Sequence, residues 1–207
     1  MRKILTLLAV LLLAQGLAHG WAQAPEKGTP VALDAAEKRK LGVFFSNFSE
    51  TMMPGFLREG PGDAQMLEFA TTHLAMNAEK SLKKSKDGYT LFIGAERVDA
   101  VTRKFLDRTV SRHAEKVYKV PAASGEIYVF SQVDRLAALG PDTFLAEGTI
   151  YYAGAGEAVD PHATPRQWKK AGKVVQPSGS FTALVRKVDG PDARYVLLEY
   201  DMVRTDL

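Results

Sequence analysis

Cysteine is absent from this chain. Disulfides, thiolate metal centres, cysteine nucleophiles and a lipid-attachment cysteine are thereby excluded. Histidine is scarce. Beyond the first two dozen residues only His73, His113 and His162 occur, and none has the dense ligand spacing of a metal site. No GxSxG nucleophile elbow is present. Gly154-Ala155-Gly156 is a lone GxG with no later glycine in register and no Lys-Ser or Lys-Thr, so no phosphate-cradling loop is read. The 27 basic and 24 acidic residues leave a net charge of +3, of which Arg2 and Lys3 supply two; the remaining +1 is too small to argue for nucleic acid or a strongly acidic partner. No cofactor, no metal and no catalytic residue is assigned.

What is present begins with a leader. Arg2 and Lys3 form a positive n-region, and Ile4 to Ala14 is an apolar run broken only by Thr6. A membrane span needs about 20 apolar residues, so this run fits a signal peptide better than a transmembrane helix. Ala22-Gln23-Ala24 is the preferred cleavage pattern, and Ala18-His19-Gly20 competes with it. The reading is residues 1–24 as signal peptide, 25–33 as a disordered lead-in and 34–207 as one domain, periplasmic or secreted and not membrane-embedded once the leader is removed. Arg2 and Lys3 supply part of the net positive charge.

Helical periodicity dominates the first half of the domain. Asp34 and Glu37 form a capping box, and Leu41, Phe44, Phe45, Phe48 and Met52 make one apolar stripe ended by Pro54-Gly55. Asp63 caps a second helix carrying Met66, Leu67, Ala70, Leu74 and Ala78. A short strand at Tyr89 to Ile93 precedes a third helix from Ala95, with Val98, Val101, Phe105 and Leu106 on one side. After about residue 115 the period becomes two. Strands are expected at Glu126 to Val133, through Phe144 to Tyr152, at Ser180 to Val188 and at Arg194 to Val203, the last with Val196, Leu198, Tyr200 and Met202 on one face. Helices first and strands later predict an α+β fold with N-terminal helices packed on one face of a C-terminal antiparallel sheet.

Four residues stand out as ligand or interaction candidates. His73 and Asn77 are four apart on the second helix, one turn above the other, and would line a pocket or pin the helix to nearby backbone. Tyr151 is a candidate to reach the same cleft. Trp168, among Arg166, Lys169, Lys170 and Lys173 in the long loop 154–176, is either a contact residue or a tuck that holds the loop down. Glu199 and Asp201 share one strand face, which fits acid–base work or calcium less simply than a solvated face. Lys80, Lys83, Lys84 and Lys86 read as a solvated helix end, with anionic lipid or cell-wall polymer as the alternative. Asn47-Phe48-Ser49 matches a glycosylation sequon but lies within the apolar helix.

The segment Val43-Phe44-Phe45-Ser46-Asn47-Phe48 resembles a motif near the N-terminus of small exported bacterial proteins of uncharacterised activity. His73, Asn77, Val98 and Phe105 follow in the order such proteins show. The resemblance implies an exported domain and supplies no catalytic residues.

Two functional expectations follow. The first is a non-enzymatic binding or envelope-associated module, with an envelope component or a small ligand as partner and a cleft reached by His73, Asn77 and Tyr151. The second is a hydrolase or lyase pairing His73 with a carboxylate, Asp99 or Glu96, which requires that carboxylate within hydrogen-bond reach inside a concave pocket.

Overall fold

The computed structural model describes residues 28–122, 128–154 and 156–205. The segment read as a leader, and Glu126, Ile127 and Ala155, therefore lie outside the described residues. In chain order the elements are β1 (Thr29–Pro30), α1 (Ala35–Glu50), α2 (Asp63–Asn77), β2 (Lys83–Lys84), β3 (Thr90–Gly94), α3 (Ala95–Leu106), β4 (Val117–Pro121), β5 (Tyr128–Ala138), β6 (Thr143–Ala153), α4 (Pro165–Lys170), β7 (Val175–Val188) and β8 (Arg194–Arg204).

Helix α1 starts where Asp34 Oδ1 accepts the Glu37 backbone N–H at 2.8 Å. Leu41, Phe44, Phe45 and Phe48 are buried as the stripe predicts. Met52 departs from it. The backbone turns left-handed there (φ 54°), Met52 N–H donates to the Ser49 carbonyl, and Met53 N–H donates to the Phe48 carbonyl. That pair of bonds is a Schellman termination. It sends Met52 outward and buries Met53 in its place.

Helix α2 is capped by Gly62, not Asp63, which is its first residue. Phe69, outside the predicted stripe, is buried in the core. Helix α3 begins at Ala95 and buries Val98, Val101, Phe105 and Leu106.

Two antiparallel sheets complete the α+β fold, one in the order β1-β5-β6-β7-β8 and the other β2-β3-β4. Thr29 and Pro30, within the stretch read as a disordered lead-in, form a short strand: Thr29 pairs with Ala138 and Pro30 with Ala137. Their extended backbone extends the sheet edge, and Val31 N–H adds a bond to the Leu136 carbonyl. The predicted face of β8 also changes. A bulge opposite Leu184/Val185 pairs Leu197 with Val185 and Glu199 with Leu184, so Leu198 is the inserted residue. Leu197 and Tyr200 then join the main core in place of a strict Val196-Leu198-Tyr200 alternation.

The core lies between α1, α2 and α3 and one face of the large sheet. Phe45 meets Phe181 at 4.5 Å between ring centroids, and Phe48 stacks on Phe69 at 5.0 Å. Beyond β1, α1 itself covers β5. Ser131 N–H donates to Ser46 Oγ at 3.0 Å, and Ser131 Oγ donates to Ser49 Oγ at 3.0 Å. Gly42 permits this approach, because a Cβ there would stand 3.3 Å from the Ser131 carbonyl oxygen. The Phe-Phe-Ser-Asn-Phe segment thus divides its work: phenylalanines fill the core and Ser46 satisfies a strand donor that would otherwise be buried unpaired.

Candidate functional site

The predicted cleft residues do not converge. His73 lies against Phe69 and Phe105, with centroids at 5.9 and 5.0 Å, on the helical side of the sheet. Tyr151 lies on the opposite face, 5.0 Å from the Trp168 ring and 5.5 Å from Phe130. Alternation along β6 separates them: Ile150 and Tyr152 turn to the main core, and Tyr151 turns away.

His73 is a packing residue with one polar partner. The Asn77 amide nitrogen donates to His73 Nδ1 at 3.3 Å and reaches Glu50 Oε2 at 3.4 Å. A donor on Nδ1 places the ring proton on Nε2. Burial, aided by the charge of Lys104, lowers the His73 pKa to about 4, while burial raises that of Glu50. The carboxylates expected beside His73 are elsewhere. Asp99 is engaged by His113, and neither Asp99 nor Glu96 is hydrogen-bonded to His73 among the described residues. The predicted hydrolytic pair is therefore not formed, because α3 presents Asp99 to the loop before β4.

That loop forms a polar cluster that sequence spacing did not reveal. His113 Nε2 lies 3.1 Å from Asp99 Oδ1, and Nδ1 lies 3.0 Å from the Tyr118 hydroxyl. Asp99 also accepts the Val110 N–H at 3.2 Å. Asp63, predicted as a helix cap, accepts from Ser111 N–H, Ser111 Oγ and Arg112 N–H, and these bonds hold its carboxyl below the usual range. Both ring nitrogens of His113 are occupied, and the cluster fastens the loop to α2 and α3. Two of the other charged candidates form surface pairs: Glu199 with Arg58 at 3.2 Å and Lys84 with Glu79 at 2.7 Å.

A concavity with convergent polar side chains lies between α1, β5 and residues 161–164. Its volume is about 230 Å³. Lys38 and Arg39 form the helical wall, Gln132 and Asp134 the strand wall, and His162 closes the third side. Neither Lys38 nor Arg39 has an ion-pair partner among the described residues. Asp134 is oriented by Thr149 Oγ1, which donates to it at 2.7 Å. The start of α1 adds the positive end of a sixteen-residue helix.

The loop wall is fixed before any ligand arrives. Gln132 Nε2 donates to the carbonyls of Pro161 and Ala163 at 2.6 and 2.8 Å. Trp168 Nε1 donates to the Asp160 carbonyl at 2.7 Å. Thr164 and Gln167 cap α4 reciprocally. Trp168 is buried, at 4 % exposure, so it is the tuck that holds this loop and not an exposed contact residue. Tyr151 supports it from the sheet. Among the described residues no helix is long and apolar enough to cross a membrane, and no group of three or more His, Cys, Asp or Glu side chains could hold a metal ion.

No protein-family model, curated protein or solved structure matches the chain.

Proposed function

We propose that the protein is an exported, non-enzymatic binding module whose site is the cleft between α1, β5 and residues 161–164. The observation that carries this reading is opposite charge on opposite walls: Lys38 and Arg39 face the cleft from the helix and Asp134 from the strand. A ligand with a carboxylate at one end and an ammonium at the other satisfies both walls. The volume of about 230 Å³ limits it to something the size of an amino acid or a dipeptide. The wall pinned by Gln132 and Trp168 keeps the site preformed, which lowers the ordering cost of binding.

Calorimetric titration with alanylalanine and its two blocked forms tests the reading. The free dipeptide should bind saturably, and N-acetylation or C-terminal amidation should each weaken it. Asp134→Asn should erase the preference for the free amine, and Arg39→Gln the preference for the free carboxylate. Equal binding of free and blocked forms, or no saturable binding, would overturn the proposal.

Export is supported by Arg2, Lys3 and the apolar run from Ile4 to Ala14. Mass spectrometry of the protein recovered outside the cytoplasm should find an N-terminus at Pro25, or at Trp21 if the competing site is used. Recovery only of full-length chain in the cytoplasm would contradict export.

A further inference from the structure

We propose a second ligand site, independent of the cleft: a groove on the β7–β8 side that takes an amphiphilic anion, a carboxylate or phosphate head on a short alkyl chain. The groove has a volume of about 270 Å³. Leu184, Leu197 and Leu198 line it, with Arg58, Arg108 and Glu199 as its charged groups. The β8 bulge shapes this part: Leu198 is the inserted residue, between core-facing Leu197 and Glu199, which pairs with Leu184.

Arg108 is held by backbone. Its Nη1 donates to the Glu59 carbonyl at 2.8 Å, and its guanidinium lies over Gly60 (φ +78°), where a Cβ would come within 2.4 Å of the guanidinium carbon. A side chain at position 60 would displace Arg108, so the turn both needs glycine and fixes the cation. Arg58 spends its Nε on Glu199, which leaves its terminal nitrogens unpaired among the described residues. Glu199 is paired to the exposed Arg58, and Arg108 has no ion-pair partner among the described residues. Nearby, Arg186 and Arg194 share the single carboxylate of Asp107, which adds to the positive field. Fork-shaped donors and leucines lining one groove match a planar or tetrahedral anion with an alkyl tail.

The probes are octanoate and butyrate in calorimetric titrations, and phosphatidylcholine vesicles with and without phosphatidylglycerol in flotation assays. We expect saturable binding of octanoate, tighter than butyrate, or recruitment to the phosphatidylglycerol vesicles alone. The first result assigns the head group to a free amphiphile and the second to a membrane lipid. In either case Arg108→Gln should weaken binding by about tenfold, the loss of one charge-assisted pair. Glu199→Gln should strengthen it by removing the opposing carboxylate, an effect that a merely structural role would not produce. The inference fails if neither probe binds, or if binding is indifferent to both substitutions while the variants melt like the parent protein.

Discussion

The imidazole of His73 packs against both Phe69 and Phe105, and burial together with Lys104 lowers its pKa from 6.5 to about 4. The unfolded chain therefore takes up this proton first as pH falls. Between those two values the unfolded state binds more protons, so stability rises with pH there and is lost as pH drops toward 4. The full displacement corresponds to roughly 3 kcal/mol. Glu50 acts in the opposite sense: burial raises its pKa, so it stabilises the fold on the acid side and that contribution disappears as pH rises through the folded value. Urea unfolding of the parent protein and His73→Leu at several pH values between 4 and 7 separates the two. The parent should lose stability relative to the variant as pH falls, and parallel profiles would count against this assignment. Tyr200 offers a second test. Its hydroxyl is buried with no hydrogen-bond partner among the described residues, and burial raises its pKa. Tyr200→Phe should leave stability unchanged or raise it by about 1 kcal/mol, because it removes an unpaid desolvation cost. A drop of similar size would show that the hydroxyl has a partner.

Between α1 and β5, stability depends on polar groups inside an otherwise apolar contact. Ser46→Ala would leave the Ser131 N–H without its acceptor and should cost about 1–3 kcal/mol, measured as a lower urea midpoint at unchanged slope. A neutral result would mean that α1 does not cover this part of β5. Trp168→Ala removes the anchor of α4 and the loop before it. Large-to-small changes in a packed site cost about 3–5 kcal/mol, but local loosening of the loop would reduce the global effect. The readout specific to this element is therefore protection from proteolysis within residues 156–174, which should fall more than the melting temperature does. Local signals disclosed α1 and α3 closely: an apolar stripe in each, and for α1 the Asp34 cap. They missed β1, β4 and α4, which are short and owe their structure to partners far along the chain. They also missed the β8 bulge: the sequence alternation continues through Leu198, and only the pairing with β7 decides which residue is extra.

Across the whole molecule, the sheet divides the chemistry. His73 and Asn77 belong to the helical side and Tyr151 and Trp168 to the other, so proximity in a plausible motif order did not become proximity in space. The cleft residues were not legible for a related reason. Lys38 and Arg39 look like ordinary solvated helix charges, Gln132 and Asp134 like the polar half of a strand, and His162 like a loop residue. Only the crossing of α1 over β5, where Gly42 lies against Ser131, brings them to one cavity. The polar cluster of Asp99, His113 and Tyr118 was hidden in the same way, since three separate elements contribute one residue each. The most direct test of the cleft is amide chemical-shift mapping during titration with alanylalanine. Saturable shifts should centre on Gly42, Gln132, Val133 and His162 and be lost together in a Lys38→Gln/Arg39→Gln variant that retains the parent spectrum elsewhere. Shifts centred instead on His73 and Asn77, or no saturable shifts at all, would contradict a ligand site in this cleft.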